Sequence, residues 1–425
     1  MKRRSYIIVA FLVMITMFIS SHAQAKKKSS NRDTWTYKGV SIAEKYPGLQ
    51  HYIWETERPP YGPFDKIALH RLVYSPHNWK AIPNRPSPNK KKVIFIIPGT
   101  WSRGSSSIDD ERYSLNIFLA NRGYDVYSMD FRTSYLPNLE YDQLEQYGYD
   151  VSSTTDWTYG VFREDIKSCV NMVKRISQAK KIFLAGRSRG GTQMWIYASK
   201  YWKKDLKGLI GLDGGPPFPS STPPRSKEDY DEAIAAFKAG DMYLSQVSGY
   251  EQSKYAGVVP YSANAVGFES MDDAVLATAT NYPWATYPPP LPVETVSDLV
   301  AYGAHFAWGN GIVTNYYGGF IDLDILIKVE SNFTRYWPGV QNVEQSNDLD
   351  YAENDAEINI PIIYFGGELG CSGGICLTPG LPLRAASTDV TILYLEGFGH
   401  LDVYVGTYSF EEVSEPLLEW LNQRK

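Results

Sequence analysis

"IFLAGRSRGG", residues 182–191, joins an apolar run to a turn that holds two arginines, three glycines and one serine. A short continuous apolar run of this kind reads as a strand buried on both faces of a sheet. The segment after it, "GTQMWIYASKYW", reads as a helix. Ser188 therefore stands where a strand passes directly into a helix, with Gly186 and Gly190 on either side in the pattern G-x-S-x-G. The bare pattern is weak, because so few of its positions are set. Its context makes it informative: a serine on a sharp strand-to-helix turn presents its hydroxyl as a nucleophile. Side chains at 186 and 190 would collide across such a turn. A plain tight connection with incidental charges is the alternative reading.

The same alternation extends in both directions. Upstream, "KKVIFIIPG" (91–99) is a second buried run, and "YDVYSMDF" is another short strand. Between them lies a helical stretch with Leu115, Phe118 and Leu119 on one face and Gly123 at its end. Over residues 154–178, Phe162, Ile166, Cys169, Val170 and Val173 recur at helical spacing. "FDKIALHRLVYSP" alternates as a strand, "PNRPSPNKKK" is a polar turn, and the rest of 34–90 is mixed. Downstream, "LKGLIGLD", "INIPIIYFGGELG" and "VTILYLEGFGH" contain strands, and "FEEVSEPLLEWLNQ" is a terminal amphipathic helix. Strand and helix in turn predict an α/β fold: a mostly parallel central sheet flanked by helices on both faces.

The alternation stops from 217 to 355. This stretch is rich in Tyr, Trp, Pro and Gly, with short helical pieces such as "DYDEAIAAFKAG" and "VSDLVAYGAHFAW". It is too long for a loop and reads as an inserted helical and irregular cap. The predicted organisation is a leader at 1–25, a core at 26–216 and 356–425, and a cap at 217–355.

The leader reading rests on Lys2, Arg3 and Arg4, the apolar stretch "YIIVAFLVMITMFIS" (6–20), and Ala23-Gln24-Ala25. Together these form the pattern of a secretory signal peptide cut after Ala25. An uncleaved anchor is the rival; the run is short for a bilayer and no cysteine follows it to carry a lipid. The mature chain is expected to be soluble and exported, to the periplasm or beyond. The net charge of −5 leaves no footprint for nucleic acid. "KKKSS" (26–30) reads as a floppy terminus. Three cysteines are too few for a disulfide scaffold. Cys169 reads as a small core residue. Cys371 and Cys376 flank "SGGI" and suit a short-loop disulfide in an oxidising compartment, with two free thiols as the alternative. Neither H-E-x-x-H nor a Cys/His cluster appears, so no metal is expected.

A serine nucleophile needs a base, and the chain order for this turn is serine, acid, histidine. His22 lies in the leader; His51, His70 and His77 precede Ser188; His305 lies in the predicted cap. His400, in the Gly-rich "EGFGHLD" after the last strand, is the expected base. The expected acid is Glu368, which follows "PIIYFGG"; Asp213, ending "GLIGLD", is its rival. Asp402 is too close to His400 to reach back and is expected to cap the next helix. An oxyanion needs two backbone donors. These are expected from Arg189, directly after the nucleophile, and from Thr100, after Pro98-Gly99, with Trp101 next best. Arg187 and Arg189 sit at a helix N-terminus, where cations are unfavourable, so pairing with carboxylates such as Asp130 and Asp213 is expected. In a second reading Arg187 faces the pocket and holds a substrate carboxylate, with Trp101 as a further substrate contact.

"PGTW", "GRSRGG", "GGELG" and "GFGHLDVYVG" together resemble the α/β-hydrolase fold serine hydrolases, in particular capped esterase- and lipase-like members. The resemblance covers about residues 91–216 and 358–422, leaving the predicted cap unmatched. The chain departs from the family at Pro98, where many members carry His, and in placing Arg on both sides of the serine; neither change removes a catalytic atom. The resemblance implies hydrolysis of a small-molecule carboxylic ester through an acyl-enzyme. Ser188 would attack, His400 relay the proton and Glu368 orient the ring, with no cofactor. Peptidase or lactonase activity on the same machinery is an alternative, and a non-catalytic binding protein is a rival of another class. A dehalogenase or epoxide hydrolase is disfavoured, because those enzymes place a carboxylate nucleophile where Ser188 stands. The aromatic content of the cap points to an apolar or aromatic group in the substrate.

Overall fold

The computed structural model describes residues 33–43, 45–75, 84–105, 108–137, 146–214, 354–368 and 385–424, with Leu144 and scattered residues between 228 and 346. The leader, His305, Cys371, Cys376 and most of the predicted cap lie outside the described residues. Asp33 and Thr34 belong to a separate unit; the main unit begins at Trp35 and holds every element named below.

Each segment read above as a strand forms one. In chain order the strands are β1 (Thr36–Ala43), β2 (Tyr46–Glu57), β3 (Lys66–Tyr74), β4 (Val93–Ile97), β5 (Asp125–Asp130), β6 (Ile182–Arg187), β7 (Leu206–Leu212), β8 (Ile362–Gly367) and β9 (Val390–Leu395). They make one sheet in the order β1-β2-β3-β5-β4-β6-β7-β8-β9. From β5 to β9 all pairings are parallel. At the other edge β1, β2 and β3 join antiparallel. That edge departs from expectation in part: β3 matches a predicted strand, whereas β1 and β2 fall in the region of mixed pattern. The signal in β2 is its alternation, with Tyr52, Trp54 and Thr56 buried and His51, Ile53 and Glu55 half-exposed between them.

The α-helices with described bounds are α1 (Leu115–Asn121), α2 (Tyr159–Ser177), α3 (Arg189–Asp205), α4 (Gly339–Ser346), α5 (Asp402–Val405) and α6 (Glu415–Gln423). α2 starts later than its apolar spacing predicts, because the Thr158 side chain accepts the Val161 N–H and caps it there. The sheet is covered on both faces. Val93, Phe95 and Ile97 of β4 pack with Phe162 and Ile166 of α2 and Met194 of α3. Ile94 and Ile96 face the other way, onto Phe118 of α1 and Leu417 and Trp420 of α6. This two-sided burial is why the central strands are continuous apolar runs rather than alternating ones. Among the described residues no helix is long and apolar enough to cross a membrane.

Candidate active site

The carboxyl ends of the parallel strands carry the polar residues. β6 ends at Arg187 and α3 begins at Arg189, so Ser188 alone makes the turn, with φ 51° and ψ −129°. Few side-chain-bearing residues adopt that backbone, and holding one there costs about 1–3 kcal/mol. The surroundings over-determine it. The Ser188 N–H donates to the Leu212 carbonyl at 3.1 Å, and the Gly191 N–H donates to the Ser188 carbonyl at 2.8 Å. A side chain at Gly186 would run into the Gly190 backbone, and a Cβ at Gly190 would come within 2.5 Å of the Ile97 and Pro98 carbonyls. These glycines let α3 pass close to β6 and to the loop after β4.

That loop lies against the serine. A Cβ on Gly99 would sit 3.0 Å from the Ser188 Cβ. Thr100 follows, half-buried, and then Trp101, buried at φ 59°. Trp101 is held through its carbonyl, which accepts the Thr334 N–H at 2.7 Å. Farther along, the Gly104 N–H donates to Asp130 at 2.7 Å and the Ser128 hydroxyl donates to the Gly104 carbonyl at 2.6 Å. Thr100 thus follows the glycine that lies against Ser188, and Arg189 follows Ser188 itself; both are half-buried.

His400 is buried, and its Nδ1 lies 2.5 Å from Asp213 Oδ2. Asp213 directly follows β7 in a left-handed conformation, φ 40°. Its N–H donates to the Phe365 carbonyl at 2.8 Å, and its other oxygen accepts the Gly367 N–H at 3.2 Å. Burial pushes the Asp213 carboxyl above its ordinary range, while the His400 ring and the Gly367 amide pull it back. The expected acid is therefore corrected: the imidazole pairs with Asp213, not Glu368. Glu368 is exposed, and its Oε2 accepts the Gly397 N–H at 2.9 Å. Its own N–H continues the ladder to β9 at the Leu395 carbonyl, 3.0 Å away.

The free edge of His400 does not meet the serine. Nε2 faces the Tyr404 hydroxyl at 3.4 Å, and among the described residues no hydrogen bond joins Ser188 Oγ to His400. Contacts of this kind often close only when substrate is bound. The His400 loop is held by Asp402, which accepts the Gly399 N–H at 2.7 Å and the Phe320 N–H at 3.1 Å. Against the expectation that Asp402 caps the following helix, its carboxylate reaches back into the loop. Burial without a facing cation pushes its pKa up to about 7.

The carboxylates expected to pair with the two arginines are engaged elsewhere. Asp213 is on His400, and Asp130 contacts His70 at 3.0 Å. Arg187 instead donates to Asn116 Oδ1 at 3.2 Å and lies 6.0 Å from the Tyr404 ring centre; its Nε is buried without a hydrogen bond. Burial lowers its pKa from the usual arginine value. Arg189 donates to Asn342 at 2.9 Å and stacks over Trp337. Sequence reasoning missed Tyr404. Its signal was its place four residues after His400, in the short helix that follows the histidine.

A parallel sheet with a strained serine after its central strand, and an acid–histidine pair at the neighbouring strand ends, is a recognisable arrangement. The chain has the α/β-hydrolase fold. It is similar to a candidate lipase from Sulfolobus solfataricus, at 27% identity and TM-score 0.63, over 92% of this chain and 99% of that one. More distant are a monoacylglycerol lipase from Paleococcus ferrophilus (15% identity, TM-score 0.43, 80% and 96% covered) and a laboratory-evolved potato epoxide hydrolase (14%, 0.41, 92% and 99%). No family model matches the chain, and no curated protein matches it. The fold and the first of these likenesses support a hydrolase of the α/β-hydrolase fold.

Proposed function

We propose that this chain is an exported serine hydrolase that cleaves small-molecule carboxylic esters. Ser188 is the nucleophile, His400 the base and Asp213 the residue that orients it. The observation that carries the reading is the His400–Asp213 pair at the same sheet edge as the strained Ser188 turn. Export rests on the leader pattern of residues 2–25.

In the first step Ser188 Oγ bonds to the ester carbonyl carbon and its proton passes to His400 Nε2. The oxyanion is held by the amides of Thr100 and Arg189. The C–O bond to the alcohol breaks, and His400 returns the proton to the departing oxygen. Water then attacks the acyl-serine with the same base, releasing the acid. For the first transfer the imidazole must turn from Tyr404 toward Ser188. Trp101 is the residue proposed to border the substrate. Arg187, directed at Asn116 and Tyr404, lends no support to a carboxylate-binding role.

Ser188→Ala is expected to abolish p-nitrophenyl ester turnover and fluorophosphonate labelling while circular dichroism stays unchanged. Retained turnover would remove Ser188 from the mechanism. The gap between Ser188 and His400 favours a second reading, a binding protein on a hydrolase scaffold. Absence of labelling in the unsubstituted protein would decide for it.

A further inference from the structure

Tyr404 makes more contacts with the proposed machinery than any role in packing requires. It lies in α5, four residues after His400, and the two rings meet edge-on, 5.3 Å apart at 86°. Its hydroxyl lies 2.9 Å from the Leu212 carbonyl, 3.4 Å from His400 Nε2 and 3.5 Å from the Asp213 carbonyl. The Leu212 carbonyl also accepts the Ser188 N–H at 3.1 Å. One oxygen atom is therefore fixed to the same carbonyl as the nucleophile's amide while it faces the base.

A phenol has a single proton to donate and lone pairs with which to accept. The shortest contact, to Leu212, takes the proton. Burial holds the Tyr404 phenol well above its ordinary range, so the proton stays on it. What remains for His400 is a lone pair. Nδ1 is engaged by Asp213, so the neutral ring keeps its N–H there and presents a bare lone pair at Nε2. Two acceptors then face each other, so Tyr404 does not hold the Nε2 edge of the neutral ring, which stays anchored through Nδ1 to Asp213. Once Nε2 has received the serine's proton, the same contact becomes an N–H donating to Tyr404 Oη.

We propose that Tyr404 is a positioning residue that favours His400 in its protonated form, by offering Nε2 a hydroxyl lone pair whose own proton is committed to the Leu212 carbonyl. The interaction is stronger after proton transfer than before it, so it stabilises the imidazolium relative to the neutral ring. Tyr404 neither gains nor loses a proton: the proton goes from Ser188 Oγ to His400 Nε2 and on to the leaving oxygen. The proposal rests on the hydrolase reading. Among the described residues, the other titratable or charged groups around His400 and its loop are Asp213 after β7, Tyr364 on β8, Arg187 on β6, Glu368 after β8, the exposed Glu396 in the loop itself, and Asp402 on α5. None of them places an acceptor on Nε2.

The test has two readouts. With ring-¹⁵N histidine, the His400 titration is followed by NMR in the full chain and in Tyr404→Phe. The pH profile of kcat/KM for a p-nitrophenyl ester is recorded alongside. Removing the oxygen should move the titration midpoint and the acid limb to lower pH by about one unit. Incorporating 3-fluorotyrosine at 404 keeps the ring and hydroxyl but weakens the oxygen as an acceptor. It should move both in the same direction by less, and it serves if Tyr404→Phe does not fold. An unchanged midpoint, or a shift to higher pH, overturns the proposal; the latter would mean that the hydroxyl donates to a neutral ring. The NMR midpoint does not depend on turnover. Persistent activity in Ser188→Ala would sink the hydrolase reading alone, and an unmoved midpoint would sink the role of Tyr404 alone.

Discussion

Asp213 and Glu368 stand just past the ends of adjacent parallel strands, yet only one reaches the histidine. Asp213 turns through a left-handed residue after β7, is buried, and sets one oxygen on His400 Nδ1 and the other on the Gly367 amide. Glu368 extends the β8–β9 ladder by one more residue, lies exposed, and holds the Gly397 amide. The difference is one of backbone direction, not of carboxylate chemistry. A longer side chain at the right strand end counts for nothing if the chain carries it away from the ring.

The largest expected effect tests that contrast directly. Asp213→Asn should lower kcat by roughly a hundred- to ten-thousandfold in steady-state ester assays, because the amide cannot fix the tautomer that leaves Nε2 free. A loss of only a few fold would mean that another carboxylate orients the ring.

A second experiment asks whether burial alone distinguishes Asp213. Asp402 is as deeply buried but faces only backbone amides. Its pKa in the fold, about 7, is raised above its unfolded value of 3.8. The native state therefore holds the proton more tightly, and the stability from this group is present below pH 4 and lost as pH rises through about 7. Asp402→Asn should gain on the unsubstituted chain by about 2–4 kcal/mol between pH 5 and pH 8 in denaturant melts. A constant difference would show that the buried carboxylate is not the group that titrates. The smallest effect belongs to Glu368→Gln, expected to leave kcat within about twofold, since a neutral oxygen still accepts the exposed Gly397 N–H. A large loss there would return Glu368 to the mechanism.

The legible and the hidden parts of the sequence have the same geometric origin. β4, β6, β7 and β8 are visible because both faces of each are buried, which leaves unbroken apolar runs. Ser188 is visible because a strand, a turn needing small residues on both sides and a helix come in direct succession. β2 is hidden because one of its faces is half-exposed, and its aromatic residues alternate with His51 and Glu55. The choice between Asp213 and Glu368 is hidden because it turns on the sign of one backbone angle in a non-glycine residue. The partners of the arginines are hidden because pairing depends on which carboxylates are already occupied: Asp130 is engaged by the Gly104 amide and His70. Tyr404 escapes notice because a tyrosine near a histidine is ordinary until the place of its hydroxyl proton is known.

The conformation of residue 188 has a consequence for how this chain can change over time. At φ 51° and ψ −129° a glycine would rest without strain, so the position is one where losing the side chain relaxes the molecule. Drift toward a sturdier but inert descendant is downhill at that codon, and only selection for turnover opposes it.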